Sequence, residues 1–526
     1  MRRCLLTLAV HLDAARLFPR EWSMALWWRI MGKRVRSRAR FAPLLGASAL
    51  AYRVWLLDEP EALVENQQSV GTDVQIVAFV AAGKNREKTV RSALEQGISV
   101  LSATEASHAL TPDPVADDAP VWLMLLEAGD TLAPGAGAAY RSCAACSITN
   151  LIYADDDLID ERGHRLAPHF KPSWNDELFR HHDYLSGACI VRVAAGDLDA
   201  VRQENGVGRI LERAVSSGAT PVHLPQVLHH RRQRPAPCII PPASGDGPAP
   251  KVSVIIPTRN RLDLLRTCVE GLEATDYPAM EIIIVDNGSD DPATLHYLAG
   301  LDPGRFQVLR DDGPFNFSRL NNRAATLASG ELLCLLNNDI EMLTSDWLTI
   351  MVHQALREEV GAVGAQLLYP DGRIQHAGVV LGICGGAAHA HRLLSPEAEG
   401  YFRRHALPQF VSAVTAACLV VRRSRFEAVG GLDEEHLAVA FNDVDLCMRL
   451  NARGWQSLYE PRARLVHHES VSRGLDRDPV GAARLAGELE VMKTRWGTGD
   501  MDRQADPFHH PQLSRYSECF ALRLSL

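Results

Sequence analysis

Two segments decide the fold: "VSVIIPT", Val252 to Thr258, and "EIIIVDNGSDD", Glu281 to Asp291. Each is an unbroken apolar run that stops abruptly on polar residues. Between them Leu262, Leu265, Cys268, Val269 and Leu272 recur at i, i+3 and i+4, the period of an amphipathic helix. Continuous apolar strands alternating with such helices predict a parallel sheet covered on both faces, an α/β fold. A third run, "GELLCLLNNDIEMLTSDW" from Gly330 to Trp347, repeats the form. Ligands gather at the carboxyl ends of strands in such sheets. Three polar tips fall there: Thr258-Arg259-Asn260, Asp286-Asn287 and Asn337-Asn338-Asp339.

Working outward, "RPAPCIIPPASGDGPAPK" from Arg234 is too rich in Pro, Gly and Ala for a helix or central strand and reads as a linker, 234–250. The region before it repeats the same organisation more weakly. "VQIVAFVAAGKNREKTVRSALEQ", Val74 to Gln96, reads as strand then helix. "APVWLMLLEAGDTLAPGA", Ala119 to Ala136, parallels the Gly330 segment, with Glu127 and Asp130 at its tip, and "LIYADDDLID" follows. The expected organisation is a helical N-terminal segment at 1–70, a shortened copy of the fold at 71–233, the linker, the main domain at 251–475, and a helical extension with a tail at 476–526.

The 526 residues suit about two to four domains. A hydrophobic content of 46% and a charged content of 23% are those of a soluble globular chain, and a net charge of -9 makes no case for nucleic acid as partner. The 11 cysteines are scattered without zinc-finger spacing, which points to reduced thiols and a cytoplasmic location. No run is long and apolar enough to predict a membrane-spanning helix. The N-terminus is unusual in joining many arginines to Trp22, Trp27 and Trp28. That pairing suits peripheral contact with a membrane surface; the alternative is a helix packed on the protein's own domains.

Each polar tip carries two readings. Asp286 beside Gly288 suits hydrogen bonds to a ribose or base, or a plain turn. Asp339 suits a hard divalent cation whose shell a diphosphate completes, or a helix cap. In "AVAFNDVDLCMRLNARGW", Asp443 opens a helix whose dipole favours negative charge, so it suits a general base or simple capping. In "RLVHHES", Arg464 to Ser470, neighbours point to opposite faces, so only one of His467 and His468 faces the site, as a metal ligand or as one of an exposed pair. The glycine-rich "GRIQHAGVVLGICGGAAHAHR", Gly372 to Arg392, reads as a loop over a site or as packed backbone.

Taken in order from Lys251 to about Gly474, these segments, with "DGRIQHAGVVLG", "VSAVTAACLVVRRSRFEAVGGLDE" and "FNDVDLCMRLNARGW", resemble family 2 inverting glycosyltransferases of the GT-A fold. The resemblance implies transfer of a sugar from a nucleoside diphosphate sugar donor to a glycan or lipid-linked acceptor. It places Pro257, Thr258, Asn260, Asp286, Asn287, Asn337 and Asn338 along the donor, Asp339 with His468 or His467 on Mg²⁺ or Mn²⁺, and Asp443 as the base. His468 is the favoured histidine, and Arg259 or Arg319 is a candidate for charge on the phosphates. Asn337 stands where many relatives carry the first Asp of an Asp-x-Asp motif. The front half, through "YADDDLIDERGHRLAPHFKPSWNDELFRHHDYLSGACIVRV", resembles a tandem-domain, rhamnosyltransferase-like branch of the same family that serves cell-surface polysaccharides. Its metal motif is reduced to "EAGD", and a segment after its second strand is missing. This copy is expected to be non-catalytic. The alternatives for the whole chain are a glycan or nucleotide-sugar binding module and a structural subunit of a polysaccharide assembly.

Overall fold

Unbroken apolar strands need cover on both faces, and the chain builds two sheets that receive it. The computed structural model describes residues 2–59, 74–101, 121–194, 198, 206–241, 249–468, 479–500 and 503–524. The chain opens with α1 (Arg2–Leu17), α2 (Pro19–Ile30), α3 (Arg34–Gly46) and the short α4 (Ala51–Trp55). The first sheet then forms from β1 (Ile76–Val80), β2 (Ser99–Val100), β3 (Val121–Leu126), β4 (Thr131–Leu132), β5 (Leu151–Ile159), β6 (Arg165–His169), β7 (Cys189–Val193) and β8 (Val222–Arg231). Its order is β2-β1-β3-β7-β5-β8-β4, with β6 on β5.

The second sheet uses β9 (Val252–Thr258), β10 (Met280–Asp286), β11 (Phe306–Arg310), β12 (Leu332–Leu336), β13 (Ile340–Met342), β14 (Val360–Leu368) and β15 (Ile374–His376). After a separate hairpin of β16 (Val379–Leu381) and β17 (Ala387–His389) it adds β18 (Gln409–Val411), β19 (Cys418–Arg422) and β20 (Gln456–His467). The order is β11-β10-β9-β12-β19-β14-β20-β13. Set aside β11 and β18, which pairs with β20, and the two sheets agree strand for strand, with β15 on β14 as β6 is on β5. They also agree in direction: β1–β3 and β9–β12 run parallel, β3–β7 and β12–β19 antiparallel, β5–β8 and β14–β20 parallel. The repeated organisation in the sequence is therefore a repeated topology. The segment expected to be lost after the second strand falls at 102–120, outside the described residues, as do 242–248 of the expected linker and the passage at 469–478 into the C-terminal extension.

Alternate residues of each central strand enter different layers. Val254 and Ile256 of β9, with Leu332, Cys334 and Leu336 of β12, pack with Leu265, Cys268, Val269 and Leu272 of the helix Leu262–Glu273. Ile255, Leu333 and Leu335 face the opposite layer, with Leu320, Ala324, Leu446 and Leu450. Each such side chain contributes about 1.5–3 kcal/mol when fully buried; the buried Ser253 of β9 is tolerated because its hydroxyl is bonded to Glu281 and accepts the Gly330 N–H. Because β9, β10 and β12 run parallel, Thr258, Asp286 and Asn337 arrive at one edge of the sheet.

The two sheets are joined by polar contacts. Arg357 Nη1 meets Glu177 Oε2 at 2.8 Å. Asn175 donates to the Phe410 carbonyl and accepts from the Phe410 N–H, and the Tyr401 hydroxyl makes the same pair of bonds with Phe170. The Glu177 carboxyl titrates at about 2, since His181 and Arg357 outweigh its burial. The C-terminal tail lies across this junction. Leu513 and Phe520 share one apolar cluster with Tyr52, Trp55, Phe170 and Val380, and Trp55 Nε1 donates to Gln512.

Candidate functional site

A crevice of ≈ 700 Å³ opens at the carboxyl edge of the second sheet. Pro257, Thr258 and Asn260 line it from the end of β9, and Asn337, Asn338 and Asp339 from the turn after β12. Asn287, Asp443 and His467 line it too, while Asp286 and His468 of the expected set do not. The turns are held open at some backbone cost. Asn260 and Arg261 both take left-handed conformations, φ 53° and 52°, at about 1–2 kcal/mol each for residues with a Cβ. The Ser289 hydroxyl accepts the Asn260 N–H, and Asn260 Nδ2 donates to Asp290, which fixes this turn. Asn338 Nδ2 donates to Thr258 Oγ1 at 2.9 Å and ties the first polar tip to the third.

Asp443 belongs to the helix Asn442–Asn451, launched by Phe441 at φ 60°. Its Oδ2 accepts the Ala416 N–H at 3.0 Å and its Oδ1 the Val444 N–H at 2.8 Å. Two backbone donors thus fix the plane of a carboxylate that still lines the crevice. The preceding turn is anchored from elsewhere: buried Glu488, on the helix Pro479–Trp496, accepts the N–H groups of Val439 and Ala440.

Of the residues expected to hold a cation, Asp339 and His467 are the ones brought together. β13 and β20 pair with Ile340 opposite His467, which brings His467 Nε2 to 3.1 Å from Asp339 Oδ1. His468, the favoured histidine, points the other way along the strand and meets Glu341 Oε2 at 3.0 Å, so it does not line the crevice. Asp339 is buried and its Oδ1 has no hydrogen-bond partner. An orphaned carboxylate oxygen beside an imidazole nitrogen fits a divalent cation with open positions for a diphosphate.

Two expectations meet different surroundings. The Asp286 carboxylate is buried behind the crevice wall, where Oδ2 meets Arg310 at 2.5 Å and Oδ1 accepts the Ser289 N–H. Its neighbour Asn287, also buried and with Nδ2 spent on the carbonyls of Asp311 and Gly313, is the one that lines the crevice. Arg319 is bound to Asp311 and does not line the crevice, whereas Arg259 does. Sequence reasoning did not single out Phe315, Phe317 and His389. The first two stand at the start of the helix Phe317–Ala325, capped by Asn316, whose period marks a helix but not its position on the crevice. His389 lay within the glycine-rich segment, whose alternative as a loop over the site would have found it.

The first sheet offers a direct contrast. Thr131 of β4 pairs with His230 of β8 as Ile340 pairs with His467, so Asp130 stands where Asp339 stands. Here His230 turns to Asp157, at 2.7 Å, and the Arg231 guanidinium lies 3.9 Å from both Asp130 and Asp156. Lys171, fully buried, meets Asp156 at 2.9 Å, and Arg234 binds the same carboxylate. Fixed protein cations stand in this copy beside the residues that match Asp339 and His467. Burial pushes the Asp130 carboxyl up to about 6, against the Arg232 N–H and Arg231.

Among the described residues, Asp155, His223 and His510 bring ligand-type atoms within 4.8 Å of one another. This group lies at the junction of the first sheet with the tail. His510 Nδ1 accepts the Gln512 N–H, which leaves the ring proton on Nε2, facing Asp155 Oδ2 at 2.8 Å. Asp155 is thus clamped between two imidazoles. They outweigh its burial and lower its carboxyl pKa.

Residues 253–430 match the family described as glycosyl transferase family 2. Among curated relatives, the chain is 41% identical over 420 residues to the protein y4gI of Sinorhizobium fredii, covering 71% of this chain and 46% of that one. It is 33% identical over 519 residues to the O-antigen biosynthesis protein RfbC of Myxococcus xanthus, covering 90% and 39%. It is 36% identical over 127 residues to an N-acetylglucosaminyl-diphospho-decaprenol L-rhamnosyltransferase of Mycobacterium tuberculosis, covering 23% and 40%. The chain therefore spans less than half the length of these relatives. A solved mannosyltransferase of Pyrobaculum calidifontis, in complex with GDP-Man and Mn²⁺, is similar over 45% of this chain and 63% of that one, at 19% identity and a TM-score of 0.34.

Proposed function

The chain carries a glycosyl transferase family 2 domain, and from that premise we propose that its second half transfers a sugar, with inversion, from a nucleoside diphosphate sugar to a hydroxyl of a glycan or lipid-linked glycan. One observation carries the reading: Asp339 and Asp443, 104 positions apart in the numbering, line a single crevice at the carboxyl edge of the sheet. Asp443 takes the proton of the acceptor hydroxyl as that oxygen attacks the anomeric carbon. Its two backbone donors hold it in one orientation, so little freedom is lost on reaching the transition state. Pro257, Thr258, Asn260, Asn287, Asn337 and Asn338 bind the donor, with Arg259 near its phosphates. Asp286, paired with Arg310, stiffens that wall unless the donor draws it out. Asp339 and His467 hold Mg²⁺ or Mn²⁺, which when bound supplies positive charge toward the departing diphosphate.

The first half is read as a domain of the same build that does not transfer sugar. The cations of Arg231, Lys171 and Arg234 beside its acidic residues support this. The boundaries proposed for the two domains are 71–233 and 251–475.

The location is read as cytoplasmic, at the inner face of the membrane. α1 exposes Leu5, Leu8 and Leu12, and α2 exposes Trp27 and Ile30, with Met31 just after it. Ten of the 55 Lys and Arg fall within residues 2–46, against two of the 64 Asp and Glu. No helix of the described residues is long and apolar enough to cross a membrane.

A screen of nucleoside diphosphate sugars with and without Mn²⁺ tests the transfer reading. One donor should raise the melting temperature only when the cation is present; at 100 times its dissociation constant the stabilisation is about 2.7 kcal/mol. If no donor stabilised the full chain under either condition, the reading would be wrong.

A further inference from the structure

The proton on His467 is placed by its neighbours, and the choice matters for what its other nitrogen can do. Gln375, buried on β15, puts Oε1 at 2.7 Å from His467 Nδ1. An amide oxygen only accepts, so Nδ1 carries the hydrogen. On the far side of the ring, Asn337 Nδ2 lies 3.3 Å from Nε2, and an amide nitrogen only donates. Both contacts demand the same tautomer, with a lone pair at Nε2. That lone pair sits 3.1 Å from Asp339 Oδ1, the oxygen without a hydrogen-bond partner. Two electron-pair donors then face one another across a gap that only a cation makes favourable. With the amide of Gln375 reversed, Nδ1 would accept, Nε2 would carry the hydrogen, and His467 would close onto Asp339 as an internal hydrogen bond. The Gln375 backbone carbonyl also accepts from Nδ1 of His389, a second imidazole lining the crevice, at 3.1 Å. One residue thus sets the protonated face of both rings.

We infer that Gln375 is a positioning residue that selects the Nδ1–H form of His467 and so keeps the Asp339–His467 pair open to a divalent cation. This rests on the reading of that pair as the cation site. Outer partners of metal-bound histidines typically account for about 10–100-fold in metal affinity. The probe is Mn²⁺ alone, titrated into the full chain and followed by loss of the free-ion paramagnetic resonance signal. Gln375→Leu should weaken binding about 10–100-fold, and Gln375→Glu, which still accepts from Nδ1–H, should restore it. Asp339→Asn is the control for the site itself. If Asp339→Asn does not weaken binding, the cation reading fails; if it does while Gln375→Leu binds like the parent chain, the role of Gln375 is overturned. Independently of any variant's folding, the long-range ¹H–¹⁵N spectrum of the parent protein, with His467 assigned by loss of its signals in His467→Asn, should show the Nδ1–H tautomer. An Nε2–H tautomer would overturn the inference.

Discussion

Asp443 is the residue proposed as the base, and its surroundings set the terms of the test. Its two oxygens accept N–H groups from separate elements; Asp443→Asn removes the proton acceptor and keeps one of those two bonds, since an amide nitrogen cannot accept. Turnover should fall by about 10²–10⁴-fold, while donor-induced thermal stabilisation stays at the parent level; near-normal turnover would move the base elsewhere. At this scale the sequence was readable where a residue's role follows from local position, as with Asp339 after a strand and Asp443 at a helix start. It was not readable where the partner comes from a neighbouring element. Asp286 meets Arg310 because β10 and β11 pair in register at that level, and nothing near Asp286 in the chain announces this. The choice between His467 and His468 likewise needed the pairing with β13, since alternation alone says that one faces the site and not which.

At the scale of elements, the continuous apolar runs located β9, β10 and β12 because both of their faces are buried, and the periodic run at 262–273 located its helix. The helix Pro479–Trp496 was legible as a helix that packs on the main domain, but its use was not. It braces the turn that launches the Asp443 helix. Glu488 caps the N–H groups of Val439 and Ala440, while Arg495 and Trp496 both bond Asp445. Glu488→Ala would leave two donors without an acceptor where water is scarce. The expected loss is about 2–3 kcal/mol, seen as a lower unfolding midpoint together with faster amide exchange at 438–446. Equal exchange in that turn would mean that the brace is idle.

The whole molecule shows a lopsided charge, with a basic, apolar-faced N-terminus on a chain whose net charge is -9. If α1–α3 rest on a membrane, the full chain should sediment with vesicles containing phosphatidylglycerol and not with pure phosphatidylcholine. Binding should weaken with salt, at about 1 kcal/mol per basic residue near the surface. Leu8→Asp and Ile30→Asp, both on exposed positions, should release it without lowering the melting temperature. Binding that ignores lipid charge, or survives both changes, would defeat the reading. The repeat of one topology was visible in the sequence as paired strand-and-tip segments; the seat of the tail was not, since "DPFHHPQL" carries no periodicity and its contacts lie hundreds of residues away. That seat has a consequence for how the protein is made. Trp55 and Phe170 leave the ribosome long before Leu513 and Phe520, which cover them. At roughly 5–20 residues per second, the early half waits tens of seconds with a greasy seam uncovered. A nascent chain stalled upstream of residue 506 should therefore hold chaperones that the released protein sheds.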